Sequence, residues 1–265
     1  MNILDCVTYF DEETILEIRF NILYKHVTKF IITEGAYDHR GNRRKLNFNL
    51  EKYSKFKDKI IYLPVDDFPN LSDPWNMLEY QRNYAMNAIN NFKDETVVIV
   101  SDVDEIPNPT KINEFIKSKN KFGVFEQLLF YYKLNMLSNS SHNWFGSKIC
   151  FKKNLKSLNW LREYKIKQYP WWRLDKPENI YIIKKGGWHF SFLYNVEGII
   201  KKISSYQHTE FDTNDIKDKS KIIKKIEEGQ DIFNRNYNFQ RINIDDRFPE
   251  YLIKNKNKYI NWIKE

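Results

Sequence analysis

The chain has 265 residues, 42% hydrophobic and 16% aromatic, enough to bury a sizeable core, which excludes a disordered polypeptide. Its 43 Lys and Arg against 35 Asp and Glu give a net charge of +8, but the lysines are mixed with Asn and Asp, a solvated surface rather than a nucleic-acid stripe. Two cysteines, Cys6 and Cys150, are too few for a disulfide framework, and no basic-then-apolar leader or run of ~18 apolar residues is read. The expectation is a soluble, cytoplasmic protein whose basic balance leaves room for an anionic donor or contact with an acidic membrane face.

Ile3 to Thr8 reads as a first strand, followed by a helix from about Glu12 to Tyr24 with apolar residues partly at helical spacing. Phe30-Ile31-Ile32-Thr33 is a second strand ending at Glu34-Gly35, so the opening is a parallel pair with a right-handed crossover. Ile60 to Leu63 is a third strand stopped by Pro64, Met77 to Asn91 is helical, and Val97 to Val100 is a buried strand. A helix follows from Asn108-Pro109-Thr110 to about Ser118, then strand character at Gly123 to Phe125 and from Leu128 to Leu137. The middle third, through Trp144, Phe151, Trp160, Tyr164, Trp171 and Trp172, has the irregular aromatic texture of a substrate-facing surface. Gly186-Gly187-Trp188-His189-Phe190-Ser191 is a turn leading into a strand or loop, and Glu197 to Ser205, Asp215 to Glu228 and Tyr251 to Ile263 are mainly helical. The alternation predicts an α/β fold, a nucleotide over the first half and an acceptor over the second.

The most informative stretch is Val97-Val98-Ile99-Val100-Ser101-Asp102-Val103-Asp104-Glu105-Ile106-Pro107. Four aliphatics deliver Asp102 and Asp104, alternate residues that can point the same way, to a strand end where open α/β sheets collect ligands. Such a pair can hold one hard divalent cation through oxygen ligands, and that cation can bridge a diphosphate. Taken alone, Asp-x-Asp after a strand is also an ordinary acidic turn.

Several stretches together resemble glycosyltransferase family 17. They are Leu16 to Leu23, Phe30 to Gly35, Glu79-Tyr80-Gln81-Arg82-Asn83, Ser101 to Pro107, Gly187-Trp188-His189-Phe190-Ser191 and Glu197-Gly198-Ile199, in order over residues 2 to about 260. The resemblance implies a GT-A fold with a mostly parallel central sheet flanked by helices, in one domain spanning 1–265. About 1–120 would bind the nucleotide sugar, and about 121–265, with its C-terminal helices, the acceptor. It further implies a UDP-sugar donor, UDP-N-acetylglucosamine, inversion at the anomeric carbon, and a glycan acceptor. Vertebrate members carry a Golgi anchor; none is read here, so the expected role is in the cytoplasm, building a surface or secreted glycan.

On that resemblance Asp102 and Asp104 match the metal motif, with Asp104 the direct ligand to Mn²⁺ or Mg²⁺. His189 is the expected third metal ligand or a diphosphate contact, against the ordinary reading of a lone His as structural; His208 is a weaker candidate. Glu105 either orders the loop or contacts the ribose, or is simply a first-turn helix acid before Pro107. Arg82 on its helix can clamp phosphate, though a surface Arg is the default. Glu34 can accept from uracil or ribose, and Tyr9-Phe10 can cover the base. Inversion needs a general base, for which Glu210 and Glu197 are candidates: Glu210 lies in an aromatic, His-bearing loop where a raised pKa is expected, while Glu197 can instead cap its helix. Trp144, Trp160, Trp171 and Trp172 divide between sugar platforms and core.

Two other function classes share these residues. A metal phosphoesterase or nucleotidyltransferase would need further ligands at close spacing, and a non-catalytic carbohydrate- or nucleic-acid-binding domain would use the aromatics and positive charge.

Overall fold

The computed structural model describes residues 1–139, 143–166, 172 and 178–265. Its first half follows the expected alternation: β1 (Ile3–Tyr9), α1 (Glu13–Leu23), β2 (Lys29–Gly35), β3 (Ile60–Val65), α2 (Pro74–Tyr84), α3 (Met86–Ile89) and β4 (Val97–Asp102). The four strands are parallel in the order β3-β2-β1-β4. Local chemistry fixes the ends of α2: the Asp73 carboxylate accepts from the backbone N–H of Trp75 at 2.9 Å, and Pro74 stands at the first helical turn, where its missing N–H costs nothing.

The order reverses at β1. Helix α1 and a 3-10 stretch, Leu50–Lys59, cover one face of the sheet through Ile15, Phe20, Tyr53 and Phe56. After β3 the chain crosses to the other face, where Ala88 and Ile89 of α3 meet Leu4, Cys6, Val98 and Val100. A crevice therefore opens between the carboxyl ends of β1 and β4, the position at which such sheets bind ligands.

Beyond β4 come β5 (Glu105–Pro107), α4 (Ile112–Lys117), β6 (Phe122–Tyr131), β7 (Met136–Ser138), β8 (Trp144–Phe151), α5 (Leu158–Arg162) and β9 (Tyr181–Ser191). Then follow α6 (Val196–Ser205), α7 (Lys219–Glu228), β10 (Phe239–Arg241) and α8 (Glu250–Lys254). Antiparallel β8 links β4 to β6, so the sheet runs β10-β7-β6-β8-β4-β1-β2-β3, with β9 pairing parallel to β6 and antiparallel to β5. The α/β class and the flanking helices are as expected. The sheet is parallel over its first half and mixed beyond it.

Two differences have physical causes. Strand β8 and helix α5 occupy the stretch read as an irregular aromatic surface, because Gly146, Ser147 and Lys148 interrupt the apolar alternation although Ser147 and Lys148 are buried. Lys148 is accommodated there by donating to the carbonyls of Tyr164, at 2.8 Å, and Arg162. Helix α7 starts at Lys219 rather than near Asp215, since Asp218 caps it by accepting from the Lys221 N–H at 2.9 Å. Among the described residues no helix is long and apolar enough to cross a membrane.

Arg19 lies on the inner face of α1 and is wholly buried. Its guanidinium donates to both carboxylate oxygens of buried Asp5, at 2.7 and 2.5 Å, and to the carbonyls of Glu105 at 2.6 Å, Val103 at 3.3 Å and Asp102 at 3.4 Å. Removing one member of such a pair leaves the other as an uncompensated buried charge. Arg19→Met should lower the unfolding free energy by about 3–5 kcal/mol, read from urea melts, whereas Asp5→Leu with Arg19→Met together should cost less than Arg19→Met alone. Equal losses in the two variants would contradict this.

Candidate active site

β4 delivers Asp102 at its last residue, and a turn carries the chain through Val103 and Asp104 into β5. Glu105 holds this turn from beneath. Its fully buried carboxylate accepts from the Asp102 N–H at 3.1 Å, the Trp144 indole N–H at 2.7 Å and the Arg162 guanidinium at 2.7 Å. The loop-ordering alternative for Glu105 is thus the one the geometry realises. A side chain at Gly146 would put its Cβ 2.3 Å from the Glu105 carboxyl carbon, so glycine leaves the room this carboxylate occupies.

The two aspartates are not equivalent. Asp102 is 41% exposed, yet its oxygens are taken by Arg162 at 2.8 Å and Arg82 at 3.2 Å. The part of its side chain that is covered loses solvation and pushes this carboxyl up, but the Arg162 and Arg82 guanidiniums outweigh that and hold Asp102 well below the usual carboxylate range. Asp104 is more enclosed, with His189 Nε2 at 3.5 Å from one oxygen and Lys202 Nζ at 3.5 Å from the other. Burial raises it as well, and its contacts with Lys202 and His189 bring it below its ordinary value.

His189 reaches this position from far along the chain because β9 pairs antiparallel with β5, Glu105 opposite His189, and the Phe190 N–H donates to the Asp104 carbonyl at 2.9 Å. Close approach of the two strands requires Gly187, whose φ is +143° and where a Cβ would stand 2.1 Å from the Ile106 carbonyl oxygen. The Trp144 ring lies 4.6 Å from the imidazole.

Asp104 and His189 form a carboxylate-plus-imidazole pair suited to a divalent ion that takes its remaining ligands from a phosphate-bearing substrate. Among the described residues no cluster of three or more His, Cys, Asp and Glu side chains could hold an ion unaided. The donor set fits an ion shared between protein and substrate.

A cavity of about 280 Å³ runs over this centre. On the β1–β2 side it is walled by Tyr9, Phe10, Glu12, Asp38, His39 and Gln81, and on the β6–β10 side by Tyr131, Phe192, Phe233, Arg235, Tyr237 and Phe239. Burial lowers the pKa of the His39 imidazole, against the opposing pull of Gln81 and Gln207.

The profile of glycosyltransferase family 17 matches residues 1–261 of this sequence. The chain belongs to glycosyltransferase family 17. It is 22% identical, over 97% of its length, to the beta-1,4-mannosyl-glycoprotein 4-beta-N-acetylglucosaminyltransferases of Rattus norvegicus and Homo sapiens, of which the match covers 53% and 54%. It therefore spans about half the length of these curated relatives. Among solved structures it is similar to residues 1–349 of TarS from S. aureus, with a TM-score of 0.33 and 17% identity over 49% of this chain and 36% of that one. It is also similar to the inositol-1-phosphate CTP transferase of T. maritima, with a TM-score of 0.38 and 10% identity over 69% and 85% of the two chains.

Of the residues the family 17 resemblance singled out, Tyr9, Phe10, Asp102, Asp104 and His189 line one cavity, joined by Trp144. Arg82 stands behind it, donating to Asp102 and, at 2.5 Å, to Asn159 rather than facing a phosphate. Glu34 is fully buried, its oxygens accepting from the N–H groups of Asn47 and Phe48, from Arg44 and from Tyr62, so it fastens the loop after β2 instead of waiting for uracil or ribose. Glu197 and Glu210 are not in the cavity wall. Glu197 pairs with Lys219 at 3.1 Å and Glu210 with His208 at 2.7 Å, and those contacts lower both carboxyls, the reverse of the rise expected at Glu210. Trp160 packs against Phe122 and Tyr164, Trp172 is 66% exposed, and Trp171 lies outside the described residues.

Sequence reading missed Arg162, Lys202 and Glu12. Arg162 sits in the stretch without visible periodicity, and Lys202, beside inward-facing Ile199 and Ile203 on α6, carries only the weak mark of a cation on an apolar face.

Because Asp102 and Asp104 are held low in the folded chain, they contribute stability that is present above the free carboxyl pKa of about 3.9 and lost as pH falls through their lowered values. Melting temperature should drop as pH falls below about 4. Arg162→Leu, which removes the cation shared by Asp102 and Glu105, should move that drop toward higher pH. An unchanged acid limb would show that Arg162 does not set the Asp102 titration.

Proposed function

We propose that this chain is a divalent-metal-dependent, inverting glycosyltransferase that moves N-acetylglucosamine from UDP-N-acetylglucosamine to a hydroxyl of a glycan acceptor, forming a β linkage. The observation that carries the reading is the convergence of Asp104 and His189 beneath a cavity at the reversal point of the sheet, in a family 17 chain. We propose further that roughly residues 1–120 serve the donor and 121–265 the acceptor. A bound Mn²⁺ or Mg²⁺ would supply positive charge to the diphosphate as it leaves.

The chain's own residues have distinct parts. Asp104 and His189 present the ligands, while Glu105, Arg162 and Arg82 keep the turn and Asp102 fixed. Tyr9 and Phe10 flank the base-binding side. In the transfer, the acceptor oxygen bonds to the anomeric carbon, the bond from that carbon to the diphosphate oxygen breaks, UDP leaves with the electron pair, and the hydroxyl proton passes to a base. Glu12 suits that last role better than Glu197 or Glu210. It lines the cavity, burial raises its carboxyl while Lys202 opposes the rise, and one oxygen is anchored by the N–H groups of Phe10 and Asp11 at 3.0 and 3.1 Å. A phosphoesterase or nucleotidyltransferase would want a fuller protein ligand set than the described residues offer.

Incubating the chain with UDP-N-acetylglucosamine and Mn²⁺ should release UDP, and EDTA should suppress that release. Asp104→Asn and His189→Ala should each reduce turnover by about 100-fold or more. Glu12→Gln should abolish transfer yet leave UDP binding intact. Failure to turn over or bind any nucleotide sugar would end the transferase reading.

A further inference from the structure

We infer that Lys202 is a second, built-in cation for the donor's diphosphate, so that this chain binds a nucleoside diphosphate even without a metal ion. The inference rests on the sugar-nucleotide reading above and adds a residue to it.

Three observations carry it. First, Lys202 lines the same cavity as Asp104 and His189, only 18% of its side chain is exposed, and its Nζ stands 3.5 Å from the Asp104 oxygen that His189 does not face. Second, the other strong cations are engaged. Arg162 is closed onto Asp102 and Glu105, Arg82 onto Asp102 and Asn159, and cavity-lining Arg235 onto Asp231 at 2.8 Å. The Lys202 ammonium pairs with Asp104 at 3.5 Å and feels the Glu12 carboxylate, but donates no hydrogen bond among the described residues. Third, its position is built. The ammonium lies 5.1 and 5.4 Å from the centres of the Phe192 and Tyr194 rings, and Ile199 and Ile203 anchor α6 in the core. Asn195 caps that helix, accepting from the Gly198 N–H at 2.8 Å.

A partly buried lysine with unfilled donors beside an acid suited to holding a metal is placed to meet phosphate oxygens on the side of Asp104 away from His189. It acts as a fixed charge: the proton stays on Nζ, and Lys202 itself makes and breaks no covalent bond. An ammonium is a strongly hydrated point charge with three rotatable donors, which suits a phosphate whose oxygens shift as the sugar departs.

Calorimetric titration with UDP in EDTA, and again with Mn²⁺, tests the inference on the full chain. Wild type should bind UDP in EDTA, more weakly than with Mn²⁺. Lys202→Met, which keeps the apolar stem over the two rings, should weaken EDTA binding of UDP and of inorganic diphosphate alike by about 10- to 100-fold and leave uridine binding unchanged. Lys202→Arg should retain most of the affinity, and matching melting temperatures should show that the variants fold. Equal UDP affinity of Lys202→Met and wild type in EDTA would overturn the inference alone, as would UDP binding by wild type that needs Mn²⁺. Absence of UDP binding under both conditions would overturn the sugar-nucleotide reading and this inference together.

Discussion

Beneath the acidic turn lies a buried ion pair, Arg19 with Asp5, and the rest of the site depends on it. Its guanidinium is satisfied on two sides, by the Asp5 carboxylate and by backbone carbonyls of Asp102, Val103 and Glu105. A buried pair of this kind is not favourable merely by being buried, because removing both charges from water is expensive. Its value here is geometric. Carbonyls drawn toward one planar cation force the chain to turn at the end of β4, and that turn presents Asp102 and Asp104 to the cavity. Asp5 lies in β1 and Arg19 in α1, so the first strand and first helix of the chain shape a turn about a hundred residues later.

Charge around the turn is compensated in layers. Asp102 and Glu105 share Arg162, Asp102 also holds Arg82, and Asp104 faces His189 and Lys202 at longer range. A carboxylate with both oxygens in guanidinium contacts has little to offer an incoming ion, whereas one whose imidazole and ammonium neighbours stand at 3.5 Å retains acceptor capacity. The two acids of one motif therefore sit differently: Asp102 joins the turn to α2 and α5, and Asp104 faces the cavity. Alternation along an extended segment places them on one side, but the neighbours supplied by distant elements decide which acid is free.

That distinction marks the limit of what the sequence could reveal. The strands β1 to β4, the acidic turn and the Gly-Gly-Trp-His stretch as a lead into a strand were legible because each is local: aliphatic runs, carboxylates at a strand end, glycines before a lone His. Strand β8 was hidden because Gly146 and the buried Ser147 and Lys148 break the alternation that marks a strand. Arg162 was hidden with it, since its partners lie 57 and 60 residues away. Glu34 misled for the converse reason. At the end of β2 it stands where a ligand contact is expected, and only the tertiary structure reveals that Asn47, Phe48, Arg44 and Tyr62 fill its acceptor sites. The resemblance to family 17 covered the whole chain, but a match to motifs does not say which acid a buried arginine already holds.

Register finally explains why His189 and Asp104 meet at all. Side chains alternate along a strand, so a one-residue slip of β9 against β5 would turn His189 to the opposite face and set Trp188 or Phe190 beside the acidic turn. Pairing of His189 with Glu105 and Gly187 with Pro107 excludes that slip, because only a residue without a Cβ fits against the Ile106 carbonyl at φ +143°. On its other edge β9 runs parallel to β6, and this pairing shifts register between Phe125 and Gln127 of β6, after which Gln127 pairs with Gly187 and Leu129 with His189. The extra residues in β9 are absorbed before the strand reaches β5, so the histidine arrives in phase. The Asp104–His189 pair is thus set by a glycine two residues from the imidazole and a bulge about four residues before it, neither of which touches the cavity centre with a side chain.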